Sequence, residues 1–214
     1  MNKLVSIMME NAEIPALVTP DLMEKYGVAR RMFKKYAAEG IDMGYVHHIY
    51  GDMYTLNTKY RKKPVPQCAL SQMLIPDSYV SIHYVLRKSS WIPETLFAIT
   101  CVTKNKDVII DTEKFGSFLY APIKKKLSNG GIHIKEDYEG TYKCASLLRA
   151  LCDLLYITNK KWNWSLLNLE EEFRILPDYL EEDLKGEDFD ELHGVFGVPG
   201  IESFLEDTRK ELGK

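Results

Sequence analysis

Carboxylates and a lysine lie close together at Asp107, Asp111, Glu113 and Lys114, the residue types with which a metal-dependent nuclease holds a divalent ion and activates water. The same four flank a stretch expected to form a β-hairpin, where charged residues belong at strand ends, so the spacing favours structure over catalysis. Cys101, between Thr100 and Val102, reads as a strand core residue rather than a nucleophile. The four cysteines, Cys68, Cys101, Cys144 and Cys152, are spaced too widely for a zinc knuckle or a redox pair and read as buried, reduced thiols. His47 and His48 have no further Cys or His nearby in sequence to complete a metal set, and read as ordinary strand residues. No nucleophile elbow, phosphate-cradling glycine loop or zinc motif occurs, so no catalytic residue, metal or cofactor is expected. A different chemistry is written at Arg30, Arg31, Lys34 and Lys35. Cations at that spacing suit phosphate neutralisation, and an arginine near a helix start can pair with a guanine edge.

The elements that would carry those cations can be read from local signals. Leu4, Ile7 and Met8 predict a helix over residues 2 to 10 with one buried stripe. Thr19, Pro20 and Asp21 supply an N-cap, a first-turn proline and a first-turn acid, with Val18 and Met23 spaced as a hydrophobic staple. This second helix should run to Tyr26 and stop at Gly27. A third, from Val28 to Glu39 and ended by Gly40, places Ala29, Met32, Phe33, Tyr36 and Ala37 on one face and the four cations on the other. Aromatic and β-branched residues from Gly44 to Leu56, around Gly51-Asp52, predict a hairpin. Three helices followed by a hairpin is the order of a winged helix-turn-helix, in which the last helix enters the major groove of DNA. Asp52 departs from this scheme, since an acid at the wing tip is repelled by phosphates. Lys59, Arg61, Lys62 and Lys63 follow, leading to Pro64 and Pro66, and read as a basic linker that adds phosphate contacts.

Charge separates the two ends of the chain. Residues 1–63 hold 10 Lys and Arg against 7 Asp and Glu, whereas residues 170–214 hold 5 against 15, so the N-terminal part suits a polyanion and the tail a basic partner or plain solvent. Beyond Pro66 the pattern is mixed. Helices are expected near Gln67–Leu74 and Ser81–Lys88, then strands over Leu96–Thr103 and Val108–Ile110 joined as a hairpin by the polar Lys104–Asp107, with further strands at Phe118–Tyr120 and Ile132–Ile134. Thr141 is expected to cap an apolar helix lined by Cys144, Leu147, Leu148, Leu151 and Leu155. From Trp162 apolar and acidic residues alternate, ending in a helix at Ile201–Leu212 whose apolar face must pack on its own domain or on a partner. No apolar run approaches the roughly 20 residues of a membrane span, and residues 1–10 lack the features of an export signal, which predicts a cytoplasmic protein.

Five short segments bear on family. Ala69-Leu70-Ser71-Gln72, Ser78-Tyr79-Val80-Ser81 and Trp91-Ile92-Pro93-Glu94, followed by Phe115–Tyr120 and Ala145–Tyr156, resemble in order and spacing the blocks of the AbiEi family of antitoxins from type IV toxin-antitoxin systems. Ser89-Ser90 stands where the family often has a glycine, and Gly51-Asp52 where its wing turn is usually basic. The likeness spans roughly residues 1 to 165. It implies a winged helix that represses its own operon by binding inverted repeats in the promoter DNA, and a second domain that counters a nucleotidyltransferase-like toxin encoded alongside, as in abortive infection. The expectation is thus an α+β chain without enzymatic activity: a winged helix-turn-helix over 1–60, a linker over 61–66 and an antitoxin domain over 67–214. A stand-alone regulator whose larger domain senses a small ligand is the other class to weigh, since the 13 tyrosines suit a pocket as well as an interface.

Overall fold

A computed structural model describes residues 1–93, 98–123, 129–138, 140–158 and 163–214. Helices and strands both contribute, in an α+β fold of two compact units. The first comprises Met1–Leu70 with Thr112–Phe115, and the second Ser71–Asp111 with Gly116–Lys214. No helix among the described residues is long and apolar enough to cross a membrane. Glu94, Leu96, Phe97 and Trp162, which figure in the sequence motifs and element starts above, lie outside the described residues.

The first unit begins with α1 (Lys3–Glu10), whose first turn is capped by the Asn2 side chain accepting from the Val5 N–H. The same amide donates to the Tyr36 carbonyl at 2.7 Å, tying α1 to the third helix. Thr19 caps α2 (Pro20–Lys25) by accepting from the Leu22 N–H, with Pro20 at the first helical position where its missing N–H costs nothing. Helix α3 (Arg30–Asp42) follows after a short turn, and β1 (Val46–Tyr50) pairs antiparallel with β2 (Met53–Leu56). Val18 and Tyr54 exchange both backbone hydrogen bonds, at 2.9 and 3.0 Å, an isolated antiparallel bridge that ties the segment before α2 to β2 of this two-stranded sheet. A single bridged residue pair is below what a periodicity argument detects. Leu4, Val5, Met23, Val28, Phe33, Ala37, Val46 and Leu56 form the buried core beneath these elements.

Two expectations for α3 change. Ala29 is exposed as the N-cap rather than packed. Gly40 does not end the helix, which continues to Asp42. Its termination is the work of Gly44 at φ +74°: the N–H groups of Gly44 and Tyr45 donate to the carbonyls of Ile41 and Gly40, a Schellman closure that a left-handed residue makes possible. Gly40 serves packing instead, because a Cβ there would meet Val46 Cγ2 at 2.7 Å and Val5 Cγ2 at 3.2 Å. Gly40→Ala is therefore expected to destabilise this unit: overpacking costs about 1–3 kcal/mol, more than the roughly 1 kcal/mol of helix propensity gained. Faster amide hydrogen exchange at Phe33 and Ala37 in the full chain checks this.

The second unit is built on a six-stranded mixed sheet of order β5-β6-β4-β3-β8-β7, with β3 Tyr79–Val80, β4 Ala98–Thr103, β5 Val108–Thr112, β6 Gly116–Pro122, β7 Ile132–Asp137 and β8 Gly140–Ala145. Helices α4 (Gln67–Leu74) and α5 (His83–Lys88) lie on either side of β3 in sequence. The expected β4–β5 hairpin is not formed. Instead β6 pairs parallel with β4, and β5 lies outside it at the sheet edge. Burial explains the exchange, since Phe118 and Tyr120 of β6 are fully buried and require a central position, whereas Ile109 of β5 is 62% exposed.

The expected helix from Thr141 is also corrected. Tyr142 and Cys144 alternate inward with exposed Thr141 and Lys143, making β8, and α6 starts only at Leu147 and runs to Thr158. Ser146 holds its first turn, its hydroxyl accepting from the Arg149 N–H. The acidic tail forms α7 (Leu166–Phe173), α8 (Pro177–Asp183), α9 (Gly186–Leu192) and α10 (Pro199–Glu211). Its apolar face finds its partner within the same unit: Leu169, Leu180, Phe189, Leu192, Ile201, Phe204 and Leu205 are buried, and Trp91 Nε1 donates to Asp183 at 2.7 Å. The carboxylates are thereby left mostly outward.

Candidate functional site

All four cations of α3 are exposed, while Phe33 and Ala37 on its other side are fully buried. The helix is thus held by its apolar face and offers its basic one, as the 3.6-residue period requires. Its entry is fixed from behind, because Lys3 Nζ donates to the Gly27 carbonyl at 2.6 Å and Phe33 packs edge-on against Tyr54 of β2 at 5.4 Å.

Two of the cations already have partners. Arg30 Nη1 lies 2.6 Å from Asp21 Oδ1, and Lys34 Nζ 3.1 Å from Asp52 Oδ1. Asp52, read in the sequence as an obstacle at the hairpin turn, faces this helix and neutralises one of its lysines. Arg31 and Lys35 pair with no carboxylate among the described residues. All these side chains are more than half exposed, so the pairs are screened and readily exchanged for another anion.

The basic segment after β2 divides. Lys59, Lys62 and Lys63 are exposed. Arg61 turns inward, its guanidinium 5.7 Å from the Phe115 ring centroid and its buried Nη1 without a hydrogen-bond partner among the described residues; burial holds its pKa below the usual arginine value. The carboxylate group weighed for nuclease chemistry does not converge. Asp107, Asp111, Glu113 and Lys114 are exposed, Lys114 Nζ contacts His47 Nδ1 at 3.1 Å, and no set of three His, Cys, Asp or Glu among the described residues is placed to hold a metal. Cys68, Cys101, Cys144 and Cys152 are buried thiols that form no disulfide among the described residues, and desolvation raises the thiols of Cys144 and Cys152, the reverse of what a nucleophile needs.

Sequence reasoning missed a charged cluster inside the second unit. Arg149 and Asp153, both fully buried on α6, pair through Nε and Oδ1 at 2.9 Å. Tyr79 Oη and Ser81 Oγ of the β3 segment donate to Asp153 Oδ2 at 2.9 and 2.7 Å, and Arg149 donates further to Tyr79 Oη and the Gly130 carbonyl. The guanidinium also faces the Phe196 ring at 4.8 Å. Burial pushes the Asp153 carboxyl up, opposed by Arg149 and the hydrogen bonds from Ser81 and Tyr79. Burial works against the Arg149 cation too, but Asp153 and Tyr79 outweigh it and raise its pKa. The signal was available: an Arg and an Asp at i, i+4 inside an otherwise apolar helix can be buried only as a pair.

No family model matches the chain, and no curated protein matches it. Among solved structures it is similar to the RV2827C protein from Mycobacterium tuberculosis, with a TM-score of 0.57 at 11% identity over 96% of this chain and 76% of that one. At that identity the likeness concerns the fold alone.

Proposed function

We propose that the chain is a winged-helix DNA-binding autorepressor and the antitoxin of a bacterial toxin-antitoxin operon, acting without catalysis on a nucleotidyltransferase-like toxin. The observation that carries the DNA half is the α3 flank of Arg30, Arg31, Lys34 and Lys35, exposed on a helix whose opposite side is locked into the core. Helices α2 and α3 joined by a short turn, then a hairpin bridged at Tyr54 to Val18 before α2, fit the arrangement in which such a helix enters the major groove. The antitoxin half rests on the resemblance of the 69–94, 115–120 and 145–156 segments to AbiEi antitoxins.

A gel-shift titration against the DNA upstream of the chain's own reading frame tests the first half. Specific retardation, absent with a scrambled duplex and lost in the Arg30, Arg31, Lys34 and Lys35 quadruple alanine variant, is expected. A shift that the variant retains sinks the assignment of α3. Growth rescue on co-expression with the adjacent reading frame tests the second half.

The two ion pairs make a further prediction. On DNA, Arg30 and Lys34 exchange Asp21 and Asp52 for phosphates, and both carboxylates then lie beside the polyanion. The Asp21→Asn, Asp52→Asn double variant is therefore expected to bind DNA about tenfold more tightly in low salt, an advantage that shrinks as salt screens it. Equal affinity for variant and wild type, measured by fluorescence anisotropy, counts against that exchange.

A further inference from the structure

The second unit contains a cavity of about 300 Å³, at the lower end of the range for small-molecule sites. Its walls are chiefly apolar, from Val102, Ile123, Ile132 and Ile134, with the buried Tyr79 ring and the Arg149 side chain among the lining groups. Lys104 and Lys143 belong to the same lining, and both are exposed. Neither makes an ion pair among the described residues, and one carboxylate, Asp77, lines the cavity with them. His133, also in the lining, has Glu191 at 3.5 Å to answer it. The buried polar groups are already satisfied: Arg149 by Asp153, Tyr79 and Gly130, and Ser78 Oγ by the Ile75 carbonyl. An occupant therefore gains its charge contacts from the two lysines and its contact area from the aliphatic wall and the tyrosine ring.

We propose that this cavity binds a small aromatic anion, with its ring against Tyr79, Val102 and Ile132 and its carboxylate or phosphate between Lys104 and Lys143. The geometry suits that class in both parts. A rigid planar body fits a small, mainly apolar cavity with little loss of its own conformational freedom, and an anionic group left at the solvent edge avoids the desolvation cost that a charge on the cavity floor would incur. The Arg149–Asp153 pair, neutral as a unit, forms a rigid support for Tyr79 without itself demanding a ligand charge. The inference is independent of the DNA-binding reading, because every group it uses lies within Ser71–Asp111 and Gly116–Lys214.

The test is a titration of the full ¹⁵N-labelled chain with benzoate, salicylate, indole-3-acetate and phenyl phosphate, each beside a neutral counterpart: benzamide, salicylamide, indole-3-acetamide or phenol. Saturable shifts centred on the amides of Val102, Thr103, Ile132 and Lys143, with a dissociation constant of about 1 mM or tighter for at least one anion, are expected. The matching neutral compound should bind about tenfold more weakly. A Lys104→Met, Lys143→Met double variant, altered only at exposed positions and so able to fold, should lose the same factor while still binding the neutral compound. Absence of saturable binding by every anion, equal binding of the neutral partners, or unchanged affinity in the double variant each overturns the proposal. Shifts that map to the basic flank of α3 instead show that the anions seek that helix, and overturn it equally.

Discussion

Asp153→Ala is expected to destabilise the second unit by about 3–5 kcal/mol, because it strands the Arg149 guanidinium as an uncompensated buried charge. The side chains of the pair are 1% and 0% exposed, so water cannot take over the lost interaction. Tyr79 and Ser81 lose their common acceptor as well, and each buried O–H left with nothing to donate to adds its own desolvation penalty. The comparison that separates charge from packing is a double replacement, Arg149→Met with Asp153→Leu, which removes both charges and keeps most of the volume. Buried ion pairs exchanged for apolar residues are often neutral or stabilising, so the double variant should be clearly more stable than Asp153→Ala. Urea unfolding followed by tryptophan fluorescence reads this unit alone, since Met1–Leu70 and Thr112–Phe115 contain no tryptophan. If Asp153→Ala unfolds at the wild-type urea concentration, the cluster does not hold the unit together.

What the sequence made legible was what local chemistry decides. Thr19-Pro20 marks a helix start whatever surrounds it, and the alternation of cations with Phe33 and Ala37 fixes which side of α3 is buried, so the element order of the first unit and the exposed side of α3 were readable, though Ala29 and Arg61 were not. Gly40 was misread because a glycine serves equally to stop a helix and to admit a neighbour, and only the position of Val46 tells which. Cys144 with Leu147 and Leu148 matches a helical stripe, yet Tyr142 and Cys144 also match a strand, and in a run this short the partner strand β7 decides. The placement of β6 between β5 and β4, and the convergence of segments on the cavity, depend on contacts between residues far apart in sequence. The division at Leu70 falls inside α4, where no linker composition announces it.

Replacing Arg30, Arg31, Lys34 and Lys35 together by alanine is expected to weaken binding to operator DNA by about three orders of magnitude near 0.1 M salt. The estimate follows from counterion release: each phosphate neutralised contributes about 0.9 to the slope of log affinity against log salt, so four lost contacts lower the slope by about 3 to 4. Fold stability should change little, because all four side chains are exposed and alanine favours the helix. Loss of the Asp21 and Asp52 pairs costs little for the same reason of exposure. The single variants divide the effect by role. Lys35→Ala should lower affinity for every duplex alike and reduce the slope by about one, whereas Arg31→Ala, close to the start of α3 and unpaired, should also narrow the gap between operator and scrambled DNA if it reads a base edge. Lys59, Lys62 and Lys63 supply the internal control: if their alanine variants account for the whole salt slope while the α3 quadruple variant keeps it, the phosphates are met by the segment after β2, and α3 is only a solvated helix face.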